Sequence, residues 1–321
     1  MVFGCGSPRF KPWGGMRVSI ARRFLKNIRQ HYDLYLMILP GVVIIFLFNY
    51  LPMYGIQLAF REFAAKLGLT GGKFVGLKYI EKFVNSYQFW NLLGNTVRIS
   101  LSTLVLGFPV PILLALLFNH LRAERYKRVM QTTVYMPHFI STVVMVGILR
   151  VFFSDGSGIL SGFVKHLLNF KGNLMGAPEA FAPMYVFSEI WQHAGWNSII
   201  YIAALSSIDV SIYDACKIDG ANSWQVVRYI DWPSLIPTCV ILLILNMGAV
   251  LGVGFEKAFI MQNSLNINVS EVISTYVYKI GLLNNQYSYS AAISLFNTVI
   301  NFFFVFSMNG IARKFGNISL W

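Results

Sequence analysis

Six apolar stretches set the terms on which this chain can fold. They lie near residues 36–60, 92–118, 131–153, 183–207, 234–254 and 290–311, and each approaches the roughly 20 residues that a helix needs to cross a bilayer. In lipid a backbone must satisfy its own N–H and C=O groups, so stretches of this length predict helices. A 321-residue soluble domain could not hide a chain that is 56% hydrophobic and 12% charged, with mean hydropathy +0.58. The expectation is an all-α integral membrane protein with six transmembrane helices. A basic arm, 1–35, precedes a single membrane domain, 36–311, and a short tail, 312–321, follows it.

The net charge of +13 is distributed, not pooled. Arg9, Lys11, Arg17, Arg22, Arg23, Lys26 and Arg29 precede the first stretch; Arg122, Arg125, Lys127 and Arg128 follow the second; Arg313 and Lys314 follow the last. That is the positive-inside pattern, which puts both termini in the cytoplasm of a multi-pass inner-membrane protein and argues against a nucleic-acid partner. Ile20, Phe24, Ile28 and Tyr32 recur every fourth position among the bases of the arm. This spacing fits an interfacial amphipathic helix on anionic lipid, and equally an ordinary charged flank. The first stretch lacks a small-residue cleavage site and reads as a retained anchor. Cys5, Cys216 and Cys239 form no CxxC, and the five histidines show no ligand spacing, so neither a disulfide framework nor a metal is expected.

Between the fourth and fifth stretches runs a polar, glycine-centred hairpin, 209–237. A polar interruption must lie in water, open to a soluble partner. Gly220 can take a positive φ and let one helix stop while another begins at a sharp angle. Ala215 and Ala221 leave room for close backbone approach, and Pro233 suits the first turn of the next helix. The string Tyr213-Asp214-Ala215-Cys216-Lys217-Ile-Asp219-Gly220-Ala221, with Pro233 beyond it, resembles the EAA loop of ATP-binding-cassette importer permeases. Asp214 stands for Glu and Cys216 for Ala; both changes are small and keep the shape.

Further strings resemble the branch of these permeases that handles complex oligo- and polysaccharides. They include Tyr50-Leu-Pro-Met-Tyr-Gly55, Asn95-Thr96, Phe108-Pro-Val-Pro-Ile112, Gln131-Thr-Thr-Val-Tyr-Met-Pro-His-Phe-Ile-Ser141, Gly195-Trp196 and Gly254-Phe-Glu256. Within the branch the chain is most similar to membrane subunits of alginate importers. The resemblance implies a type I importer permease fold and a defined set of partners. These are a second homologous permease subunit, a dimer of ATPase subunits carrying ATP and Mg, and an extracytoplasmic solute-binding protein that delivers the sugar. It also implies that the EAA-like loop docks on the ATPase. The residues agree that this chain holds no ATPase site and no cofactor of its own. The nearest phosphate-loop string, Gly68-Leu-Thr-Gly-Gly-Lys-Phe, has the wrong spacing.

Candidate path residues follow from the cost of burying polarity in a membrane. Glu189, His193, Arg98 and Arg150 are ionisable and lie in or near the ends of stretches, so each must pair or face water. One reading places them on a sugar path; the other pairs Arg98 with Glu189 and lets Arg150 snorkel. Tyr185, Trp191, Trp196 and Tyr201 offer ring faces and Asn197 and Asn246 offer amides, the groups that sugar C–H faces and hydroxyls need. Trp and Tyr also gather at membrane interfaces without binding anything. Glu256 reads as a loop anchor or a gate residue. Arg150 and Lys257, each at the outer end of a stretch, are the candidates for holding a uronate carboxylate. Pro109, Pro111 and Pro137 can bend their helices. A neutral-oligosaccharide permease, an ion-coupled secondary transporter and a lipid-linked glycosyltransferase are the rival readings. Glu189 is the only acid well inside a stretch, which disfavours ion coupling.

Overall fold

The computed structural model describes residues 30–316, apart from 65, 67, 69–70, 122, 155–157, 159 and 168–172. The basic arm with Cys5 and nearly all of the amphipathic stretch lies outside the described residues, as does the end of the tail. Among the described residues, four helices are long and apolar enough to cross a membrane: Tyr32–Phe60, Phe89–His120, Ser223–Met247 and Tyr287–Lys314. Two further pairs qualify only when each bent pair is taken as one span, giving up to six. Among the described residues there is no named strand, only the isolated bridges Arg61–Phe74 and Ala64–Gly68.

The chain divides into two units, one ending at Gly55 and one beginning at Ile56. The first contains α1 (Tyr32–Ile45), which runs on through a wide π turn, Phe46–Tyr50, directly before Leu51-Pro52. Proline has no N–H and its ring crowds the carbonyl four residues back, so a widened turn at that point relieves both problems.

In the second unit, α2 (Lys78–Val84) leads to α3 (Phe89–Gly107), which passes through Phe108 into α4 (Pro109–His120) as one span. Next, α5 (Glu124–Tyr135) and a 3₁₀ turn, Met136–Phe139, are bent by 99° from α6 (Thr142–Phe153). The third span expected over 131–153 is therefore a broken one, with its bend just after Pro137. Ser141 explains the break: it is extended, and its hydroxyl accepts the Val144 N–H at 3.3 Å, starting a new helix. The Gln192 amide donates to the Ile140 carbonyl freed by that break, at 2.7 Å.

After α7 (Ser161–Leu167) comes the central helix, α8 (Pro178–Ser206), whose 29 residues extend about 43 Å. It contributes to two of the three buried clusters. Phe181, Tyr185 and Val186 join Ile99, Met145 and Leu149; Tyr201 and Leu205 join Ile112, Leu235 and Cys239. A Cβ on Gly195 would lie 2.1 Å from the Val134 carbonyl oxygen, so only glycine lets α8 pass this close to α5.

The chain then bends by 73° into α9 (Val210–Ile218), turns, and re-enters through α10 (Ser223–Val226), a π turn at Val227–Asp231, and α11 (Trp232–Met247). Pro233 stands in the first turn of α11, as expected, and the preceding π turn joins that helix to α10 without a break. One expectation is corrected here: the helix stops at Met247 rather than continuing to 254, and residues 248–254 form irregular turns. Apolar side chains such as Val250, Leu251 and Val253 continue past the end, which hides it from a hydropathy reading.

Three short helices follow, α12 (Phe255–Met261), α13 (Ile267–Ser270) and α14 (Ile273–Tyr278), before the last span, α15 (Tyr287–Gly316). Polar pins hold this region together. The Asn95 amide donates to the carbonyls of Asn268 and Glu271, and the Ile273 N–H donates to the Thr96 hydroxyl. Phe83, Phe89, Leu92, Ile273, Tyr276, Tyr289 and Ile293 complete a third, largely aromatic cluster beneath them.

Candidate functional site

The hairpin is built by caps. Asp209 is extended and accepts the Ser211 N–H at 2.9 Å, starting α9. At the other end Gly220 has φ +73°, Ala221 N–H donates to the Cys216 carbonyl and Gly220 N–H to that of Lys217. This paired closure, with glycine in the left-handed position, ends a helix sharply, as the sequence suggested. Asn222 and Gln225 then form a capping box, at 2.8 and 2.7 Å, that starts α10. Asp214, Ala215, Lys217, Asp219 and Gly220 are all exposed, while Cys216 and Ala221 are half-buried. Asp214 and Lys217 pair at 2.9 Å on the open surface, a contact that contributes little. Ile218 is 87% exposed, an unusual position for a large apolar side chain on a polar hairpin.

Tyr213 does something different from its neighbours. It faces inward, and its hydroxyl donates to Asp231 Oδ1 at 2.7 Å and accepts from the Asn119 amide at 3.3 Å. Asp231 Oδ2 lies 2.7 Å from His120 Nε2, and Asp231 is wholly buried. Burial, then the hydrogen bond to Asp231, pushes the Tyr213 phenol up to about 12, which keeps it a donor. One buried carboxylate thus ties the hairpin helix to the end of α4 and to the π turn that opens the next span. Neither Asp231 nor His120 stood out in the sequence, because they are 111 residues apart and meet only in the fold.

A cavity of about 380 Å³ lies between α3–α4, α8 and the end of α11. Tyr185, Glu189, His193, Asn197 and Tyr201 all line it, and their spacing of four makes them one ridge of α8. Asn246 faces them from α11, and Ser100 from α3. The Ser100 hydroxyl oxygen is buried without a hydrogen-bond partner, a group that a polar ligand would satisfy. Ring faces, amides and hydroxyls converging on one space are what a saccharide needs.

Charge in this cavity is already balanced. Glu189 Oε2 accepts from Lys257 Nζ at 2.8 Å, and Glu189 Oε1 lies 3.4 Å from His193 Nε2. His193 Nδ1 in turn lies 3.1 Å from His138 Nδ1, and the His138 ring stacks on Trp196 with centroids 4.5 Å apart. Lys257, 2% exposed, also sits over the Tyr185 ring at 5.3 Å.

Several candidate positions therefore move. Glu189 pairs with Lys257, not with Arg98, which is exposed. Lys257 is buried in that pair, not presented at an outer mouth. Arg150 donates to the Ile260 carbonyl at 2.6 Å and does not line the cavity. Trp191 lies off the ridge and is 46% exposed, and Glu256 is exposed in the first turn of α12. Glu189, His193, Asn197 and Asn246 are the candidates that the fold brings together. Among the described residues no group of three or more His, Cys, Asp or Glu could hold a metal ion.

Residues 107–317 match the family described as binding-protein-dependent transport system inner membrane component. Protein LplB of Bacillus subtilis (strain 168) is 37% identical over 298 residues, covering 93% of this chain and 94% of that protein. The polygalacturonan/rhamnogalacturonan transport system permease protein YteP of the same organism is 39% identical over 300 residues, covering 94% and 93%. A chain from the crystal structure of a bacterial ABC transporter involved in the import of the acidic polysaccharide alginate superposes with TM-score 0.82 at 34% identity. That match covers 92% of this chain and 99% of the other. The alginate transporter in complex with an alginate pentasaccharide-bound periplasmic protein gives the same TM-score and identity over 93% and 100%.

Proposed function

Because the chain belongs to the family of binding-protein-dependent transport system inner membrane components, we propose that it forms the membrane path of an ATP-driven importer for oligo- or polysaccharide, with an acidic polymer such as alginate as substrate. The all-helical, type I permease fold supplies the frame, and the α8 ridge carries the reading. Tyr185, Asn197, Tyr201 and Asn246 offer faces and amides to sugar rings across a space of about 380 Å³. The one carboxylate lining it is paired with Lys257, so an anionic sugar would enter without meeting an unpaired acid. Likeness along nearly the whole chain to the alginate importer supports the acidic substrate.

On this reading the hairpin around Asp214–Gly220 docks on a pair of ATPase subunits, which carry ATP and Mg. Exposed Ile218, and the short side chains of Ala215 and Ala221, would meet them. A second permease subunit completes the path and an extracytoplasmic binding protein loads it. The hairpin lies on the cytoplasmic side, with the termini.

The test is uptake by the reconstituted transporter of labelled saccharides of equal length, acidic against neutral. ATP-dependent uptake of the uronate oligomers is expected. Uptake of the neutral oligomers alone would replace the substrate, and uptake driven by an ion gradient without ATP would replace the mechanism.

A further inference from the structure

A second cavity, of about 460 Å³, lies between α4 and the α10–α11 helix. Ile112, Leu113 and Leu116 form one wall, and Trp224, Arg228 and Trp232 stand along the other. The latter three recur every fourth residue, so they make one ridge that descends about 12 Å from the hairpin. Arg228 is the one charged residue among the nine that line the groove. It is exposed, and no ion pair is seen for it among the described residues. The nearest acid in sequence, Asp231, is committed to His120 and Tyr213.

These features define an occupant. Leu113 is 57% exposed on a membrane span, and the groove beside it has room for an apolar chain. Tryptophans mark the level where hydrocarbon meets headgroup, and Trp224 stands in the first turn of α10, just after the Gly220 turn, 70% exposed. A guanidinium at that level without a carboxylate partner is suited to a phosphate, which it can grip through two parallel N–H donors. A zwitterionic lipid carries its own cation beside the phosphate; a lipid with net negative charge leaves the match to Arg228. We infer that the groove between α4 and α10–α11 is a binding site for an anionic phospholipid, its phosphate on Arg228 and an acyl chain against Leu113 and Leu116. A lipid held there braces the helix that leads from the Gly220 turn into the membrane, where α9 and α11 are already tied through Asp231.

The assembled transporter, extracted in mild detergent, would be exposed to phosphatidylglycerol and phosphatidylcholine in competition, and retained lipid read by native mass spectrometry. Phosphatidylglycerol should be retained selectively. Arg228→Gln should weaken its retention about tenfold, the worth of one charge-assisted contact, and leave phosphatidylcholine unchanged. Leu113→Trp, which fills the groove and keeps the charge, should cause a similar loss. Equal retention of the two lipids by the unaltered transporter would overturn the site, as would undiminished phosphatidylglycerol on Arg228→Gln. A photo-crosslinker at position 113 that captures another protein span instead of lipid would also overturn it.

Discussion

Replacing Asp231 by Ala is expected to leave the hairpin without its anchor and to separate ATP hydrolysis from transport in the assembled complex. The carboxylate is wholly buried and accepts two bonds at 2.7 Å, from His120 and from Tyr213. Truncating it orphans both partners, a loss of about 3–5 kcal/mol for a buried, hydrogen-bonded charge. Since that much can unfold a membrane domain, Tyr213→Phe is the sharper companion. It removes one hydroxyl, costs about 1 kcal/mol, and leaves Asp231 bonded to His120. The complex should still assemble and hydrolyse ATP, with several-fold less sugar moved per ATP. An unchanged ratio in well-folded Tyr213→Phe would show that the hairpin transmits its motion by another route.

Breaking the Glu189–Lys257 pair is expected to have unequal consequences from its two sides. The Lys257 side chain is 3% exposed, whereas that of Glu189 is 29% exposed and borders the cavity. Glu189→Leu strands a buried ammonium beside the Tyr185 ring, and should lower stability by about 3–5 kcal/mol. Lys257→Met leaves a carboxylate that can still draw on cavity water, so it should cost less. The double variant should recover most of the loss, giving a large coupling energy in thermal unfolding of the purified permease. Additive losses would contradict the pair. Transport of acidic saccharide by Lys257→Met should fall more than that of neutral saccharide, because the variant leaves Glu189 as an unpaired acid bordering the cavity.

What could be read from the sequence was what local chemistry dictates. Gly220 had to take a positive φ because a helix ends and another begins within a few residues of it, and it does so at +73°. The apolar stretches announced helices, but composition does not say where an apolar helix bends or stops. One helical run ends at Phe139 and Ser141 caps the next inside the stretch 131–153, and 248–254 stays apolar after the helix has ended. In the site, Glu189, His193, Asn197 and Asn246 were legible one at a time, as polar groups too costly to bury without purpose. The four-residue spacing of Glu189, His193 and Asn197 with Tyr185 and Tyr201 was present in the sequence and would have picked out the cavity face. The Lys257 and Asp231 contacts were not legible, since each joins residues far apart in the chain that only packing brings together.

The claim that the α8 ridge lines the saccharide's path is tested most directly by thiol accessibility at position 197. Asn197→Cys would be placed in an assembled transporter whose Cys5, Cys216 and Cys239 have been replaced, and labelled with a small polar thiol reagent. Labelling should be slowed several-fold by the transported oligosaccharide, and not by a saccharide the complex does not move. A labelling rate untouched by the transported sugar would place the path elsewhere.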